Sequence, residues 1–203
     1  MSRCRANDKW RNASFRHLQG SQQGSILDMM FGLFRKDPRR AVIMALYTRV
    51  ADASRAPFLY VDATIPDTVE GRLEALTVHA LLVMRRLKSL PEPGPEVAQE
   101  YVDVLFTHVD HGLRELGVGD VVVPKRMKKI AQNFYGRVEV YAEAIDRADA
   151  EALAVALARN IPGVASARLA AYIMMGERHL GTMLLEDVLN RPDLFPASLD
   201  APA

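Results

Sequence analysis

The side chains best suited to acid–base or metal chemistry are five histidines, His17, His79, His108, His111 and His179. His108 and His111 stand three apart in a helical pattern and could face one metal ion. A carboxylate-bridged di-metal bundle needs Glu three residues before His on two helices, and no histidine here has one. The HExxH pattern is absent as well. By helical phase His79 abuts an apolar stripe, the usual place of a hydrogen-bonded structural histidine, and His111 falls on a polar face. Cys4 is the single cysteine, so neither an intrachain disulfide nor a cysteine zinc site can form. Nine methionines without Cys-x-x-Cys-His argue against a permanently held heme. Gly117-Val118-Gly119 lacks the third glycine, the preceding strand and the Lys-Ser/Thr of a phosphate loop. It reads as a helix C-cap and tight turn, with Asp120 accepting from nearby backbone N–H groups. Gly-x-Ser-x-Gly is missing, and acidic residues are spread singly. The pattern points to a protein that is not an enzyme and carries no metal or cofactor.

The cations after Pro124 form the one dense cluster. Lys125, Lys128 and Lys129 share a helical face with Gln132, while Arg126 leads to Asn133 and Arg137 on an adjoining strip. Charge runs are commonly just solvated, yet cations at a helix N-terminus oppose the macrodipole. The cluster therefore has a second reading, contact with an anionic surface. Lipid headgroups, ribosomal RNA near the tunnel exit and an acidic partner subunit all fit. Aromatic residues are not interleaved for base stacking, because Phe134 and Tyr141 belong to an apolar stripe, so sequence-specific nucleic-acid recognition is not expected. Arg85, Arg86 and Lys88 form a second basic group at a helix end, where the dipole favours them, so Arg85 and Arg86 need no functional explanation.

Helical periodicity dominates the elements that must position these residues. Residues 39–54 place Val42, Ile43, Leu46 and Val50 on one face, and residues 55–67, with two prolines, read as an irregular connection. Asp67 or Thr68 caps the next helix, whose stripe is Val69, Leu73, Leu76, Ala80, Val83, Leu87 and Leu90. Pro91, Pro93, Gly94 and Pro95 end it. A third helix over 96–116 buries Val102, Leu105, Val109, Leu113 and Leu116, with Gly117 just past its end. Pro124 opens a fourth, striped by Met127, Ala131, Phe134, Val138, Tyr141 and Ile145. A shorter helix spans 150–160. A last one over 166–190 shows Leu169, Ile173, Gly176, Leu180, Leu184 and Val188. Val121–Val123 is the only strand-like run and too short for a sheet. The expected fold is all-α, a single irregular bundle of about six helices.

Length, at 203 residues, suits one domain with a real core. With 49% hydrophobic and 25% charged residues, and a net charge of +1, the chain is neither disordered in type nor globally attractive to nucleic acid. No apolar run approaches the ~18 residues of a membrane span. Residues 1–28 carry Arg3, Arg5, Lys9, Arg11 and Arg16 against Asp8 and Asp28, with little periodicity. They read as a disordered extension, with Met29 or Met30 as an alternative start; an organellar transit peptide is the competing reading. Residues 29–190 form the helical domain, and 191–203, with Pro192, Pro196 and Pro202, a flexible tail.

Several short motifs fall in a telling order: Pro66-Asp67-Thr68, Gly71-Arg72, Leu113-Arg114-Glu115, Gly117-Val118-Gly119-Asp120, Lys125-Arg126 and Phe134-Tyr135-Gly136-Arg137. In that order, across roughly residues 40–160, the chain resembles the ubiquinol–cytochrome c chaperone family. The resemblance implies a non-enzymatic assembly factor that binds newly made cytochrome b and promotes assembly of ubiquinol–cytochrome c reductase, respiratory complex III. It implies partner-binding roles for Asp120, Lys125, Arg126, Lys128, Lys129, Tyr135, Arg137 and Arg72. Asp67 and Gly71 fit better as a cap and a close helix contact. The expected location is the cytoplasm, peripheral to the inner membrane, or the mitochondrial matrix side in an organellar setting. The rival is a general RNA- or ribosome-associated binding domain using the same cations.

Overall fold

A computed structural model of the chain describes residues 38–199. The N-terminal extension, with Cys4 and His17, and the last residues of the tail lie outside the described residues. Those described form eight helices and no strand: α1 (Pro38–Ala53), α2 (Pro57–Val61), α3 (Val69–Ser89), α4 (Gly94–Glu115), α5 (Val123–Asp146), α6 (Ala150–Asn160), α7 (Ser166–Gly181) and α8 (Leu185–Asn190). Six are long, and the architecture is the irregular all-α bundle expected from the periodicity.

Helix α3 is the axis, packed by α1, α4, α5 and α7. Its entry is set by Thr68, whose side chain accepts from the Gly71 N–H at 3.1 Å. Gly71 sits so close to the preceding turn that a Cβ there would lie 1.9 Å from the Pro66 carbonyl oxygen. Thr68, not Asp67, is therefore the cap. The apolar stripe expected along α3 describes only part of its surroundings. From Thr77 to Met84 every residue is buried, because neighbours cover all sides, whereas Val69 at the helix start is exposed.

Three other expectations change. The connection after α1 holds the short helix α2, begun by Pro57 in its first turn and anchored by buried Leu59. The helix expected over 166–190 is broken at residues 182–184. There Thr182 Oγ1 donates back to the His179 carbonyl at 2.9 Å, and the Asp187 carboxylate accepts from the Leu184 N–H at 2.9 Å, restarting the chain as α8. Leu184, placed on the stripe by phase, is exposed as a result, as is Leu116 at the end of α4. Beyond α8, Leu194 and Leu199 are buried, and Phe195 meets the His79 ring edge-on at 4.7 Å.

Candidate partner-binding face

The cation cluster stands on a rigid turn. Gly117 adopts φ +79°, the left-handed conformation that glycine takes without strain, and closes α4. The Gly117 N–H bonds the Arg114 carbonyl at 2.9 Å and the Val118 N–H the Leu113 carbonyl at 3.1 Å, the paired pattern of a Schellman end. Val122 and Val123 N–H groups then both reach the Gly119 carbonyl, at 2.8 and 3.2 Å, and turn the chain into α5. Asp120 does not cap backbone amides as expected. Its carboxylate pairs with Arg114, which also holds Asp110 at 2.7 Å.

From Pro124 onward α5 projects Lys125, Arg126, Lys128 and Lys129 into solvent. Its first turn contains no acid to offset them. None of the four forms an ion pair among the described residues, whereas most arginines of the fold do. The turn below them presents apolar side chains: Val121 is 93% exposed, Leu116 64% and Val122 45%. Sequence reasoning missed these three, assigning Leu116 to the core and setting aside the valines as strand-like. The available signal was their position, since they flank a Gly-rich turn that must lie at the surface.

The other expected site residues are placed elsewhere. Arg137 turns inward and grips Glu74 of α3 through both carboxylate oxygens at 2.5 Å, with the two side chains only 17% and 13% exposed. Burial raises the Glu74 carboxyl above its ordinary range against the pull of Arg137. Arg72, in the first turns of α3, pairs with Asp67 at 2.7 Å and lies 5.5 Å over the Tyr60 ring. Tyr135 is half-buried beside Phe134 and Phe106, with ring centroids 5.4 and 6.1 Å away. Lys125, Arg126, Lys128 and Lys129 thus form one face following Asp120, and Arg72, Tyr135 and Arg137 do not belong to it.

His79, His108 and His179 are fastened into the fold, the last through Nε2 to the Asp193 carbonyl at 2.8 Å. His79 is fully buried, its Nδ1–H donating to the Ala75 carbonyl at 2.7 Å and its Nε2 accepting from the Tyr172 hydroxyl at 2.9 Å. Desolvation lowers its pKa to about 4. His108 bonds the Val104 carbonyl at 2.9 Å and stacks on Tyr47 at 4.2 Å, with the His111 ring 6.4 Å away. No group of three metal-ligating side chains converges among the described residues. A cleft of about 200 Å³ opens between α1, α7 and the chain after α8, lined by Arg49, Phe58, Tyr172 and Phe195. Arg49 is committed to the Leu189 and Arg191 carbonyls there. Among the described residues, no helix is long and apolar enough to cross a membrane.

Comparison with known proteins identifies the family of the chain. Residues 61–193 match the family described as Ubiquinol-cytochrome C chaperone. The fold is similar to the crystal structure of the Cbp3 homolog from Brucella abortus, with 38% sequence identity and a TM-score of 0.70, over 85% of this chain and 98% of that one. No curated protein matches. The family match covers well over half of the chain and includes the whole α4–α5 connection and its cations. The chain belongs to the ubiquinol–cytochrome c chaperone family, whose members are assembly factors rather than enzymes.

Proposed function

We propose that this assembly chaperone receives newly made cytochrome b and promotes its incorporation into ubiquinol–cytochrome c reductase. The observation that carries the reading is the family match over residues 61–193, which spans the bundle from α3 to the end of α8. The architecture supports it: a cofactor-free role needs a surface rather than a cleft, and the exposed cations of α5 supply one. Lys125, Arg126, Lys128 and Lys129 are the partner-binding residues, with Asp120 helping to hold the turn through Arg114. The protein works at the cytoplasmic face of the inner membrane, or at its matrix side in an organelle, where a nascent membrane subunit emerges.

A strain lacking the gene tests this. Its membranes should lose the b-type heme signal in a reduced-minus-oxidised spectrum, together with the cytochrome b subunit on an immunoblot. The wild-type protein should restore both. Normal cytochrome b would overturn the reading and favour an RNA- or ribosome-associated role, tested by salt-dependent RNA binding.

A further inference from the structure

The geometry points to the α4–α5 turn as a membrane-docking tip that inserts Leu116, Val121 and Val122 among the acyl chains of an anionic bilayer while Lys125, Arg126, Lys128 and Lys129 hold its headgroups. Three observations meet there. Aliphatic side chains are unusually exposed for a turn: Val121 at 93% is almost wholly in water, and Leu116 accompanies it at 64%. Backbone bonds from Val118 to Leu113 and from Val122 and Val123 to Gly119 fix the turn, so ordering it on a surface costs little conformational entropy. Four cations rise directly behind it on the first turns of α5, without an ion pair among the described residues.

The local acids do not cancel this charge. Asp110 and Asp120 share the single cation of Arg114, which leaves that network one net negative charge, and exposed Glu115 adds a second against the four cations of α5. An apolar tip backed by the cations of α5 is complementary to hydrocarbon beneath an anionic headgroup layer. RNA is a poorer match, since its bases would want aromatic platforms and the tip offers only aliphatic chains. Anionic lipid is thus the occupant. The tip would set the chaperone on the membrane with α4 and α5 rising from it, whatever its client.

Co-sedimentation of the full chain with phosphatidylcholine vesicles, with and without phosphatidylglycerol, tests the inference directly. Binding should require the anionic lipid and fall as salt rises. Lys125→Gln, Lys128→Gln and Lys129→Gln together should weaken it, by roughly fivefold per charge. Leu116→Ser with Val121→Ser should weaken it at least about tenfold while unfolding is unchanged. An environment-sensitive dye on Val121→Cys, in a Cys4→Ser background, should shift to the blue on anionic vesicles. Any of these results would overturn the inference: no preference for anionic vesicles, binding that ignores the two serines, or a dye left in water. Loss of ribosomal RNA binding in the triple Gln variant, with vesicle binding intact, would overturn it in favour of RNA. No client is present in this assay, so its failure would leave the cytochrome b reading to the gene-deletion experiment.

Discussion

His79 illustrates how a chemically capable residue is spent on structure. Both ring nitrogens are satisfied in the neutral form, with Nδ1–H facing the Ala75 carbonyl and Nε2 taking the Tyr172 proton, while full burial disfavours the charged ring. Its folded pKa of about 4 lies below the ordinary 6.5, so the unfolded chain binds a proton that the fold refuses. Its contribution to stability is therefore complete above pH 6.5 and is lost as pH falls towards 4. At pH 5 the loss should be about 2 kcal/mol. Urea unfolding at pH 7 and pH 5 should show this drop in the wild type and much less of it in His79→Gln. Equal pH dependence in the two proteins would refute it. The phase of the α3 stripe was enough to read this histidine as structural. Arg137 was not legible in that way, because its partner Glu74 lies 63 residues earlier and meets it only through the packing of α3 on α5. Arg137→Ala leaves a mostly buried carboxylate alone and should cost about 2–4 kcal/mol, whereas Glu74→Gln leaves the mostly buried Arg137 guanidinium an amide oxygen to bond and should cost less. Denaturant midpoints of the two variants decide the order, and a reversed order would mean that Glu74 is solvated in the absence of its partner.

Among elements, the helices that follow strong periodicity were readable and their interruptions were not. Residues 150–160 coincide with α6 because Asp149 caps it, its carboxylate accepting from the Ala152 N–H at 2.9 Å, and Ile161 leaves helical geometry just before Pro162. The break between α7 and α8 escaped because Leu180, Leu184 and Val188 continue at steps of four, in phase with the stripe before them. The clues were Gly181 followed by Thr182, and then two acids, Glu186 and Asp187, suited to a new first turn. Long-range arginines stabilise what the break frees. Arg86 of α3 donates through Nε to the Met183 carbonyl at 2.7 Å and also through Nη2, while Arg49 of α1 ends α8 on the Leu189 carbonyl at 2.5 Å. Sequence reasoning read Arg86 as needing no function, which overlooks its bonds to the Met183 carbonyl. Arg86→Lys cannot reproduce a two-nitrogen grip on one carbonyl. It should lower stability by about 1–2 kcal/mol and expose residues 182–184 to limited proteolysis. Cleavage there at the wild-type rate would show that the packing of Leu180, Met183 and Val188 holds the break unaided.

At the scale of the molecule, the proposed binding residues and those that hold the fold together are different, and that separation is itself testable. The net charge of +1 gives no overall field, so any electrostatic partner must be met locally, and the fold leaves Lys125, Arg126, Lys128 and Lys129 out of its internal ion pairs among the described residues. Other cations are consumed by cohesion: Arg85 joins α3 to Glu177 of α7 and Asp146 of α5, at 3.0 and 2.7 Å. Neutralising Lys125, Lys128 and Lys129 should therefore leave the thermal midpoint unchanged or slightly raised, because cations at a helix N-terminus oppose its dipole. The same protein should restore little cytochrome b in a strain lacking the gene. Gly71→Ala is the converse case. A methyl group 1.9 Å from the Pro66 oxygen must push α3 off its entry turn, so the midpoint should fall and function should fail only as folded protein is lost. Measuring thermal unfolding and cytochrome b together for both variants places them on two axes. If the lysine variant lost midpoint in proportion to function, the cluster would be structural and the binding face would have to be sought elsewhere on the bundle. If it lost function alone, the face would be the means by which a helical domain without a membrane-spanning helix among its described residues reaches a membrane-bound assembly line.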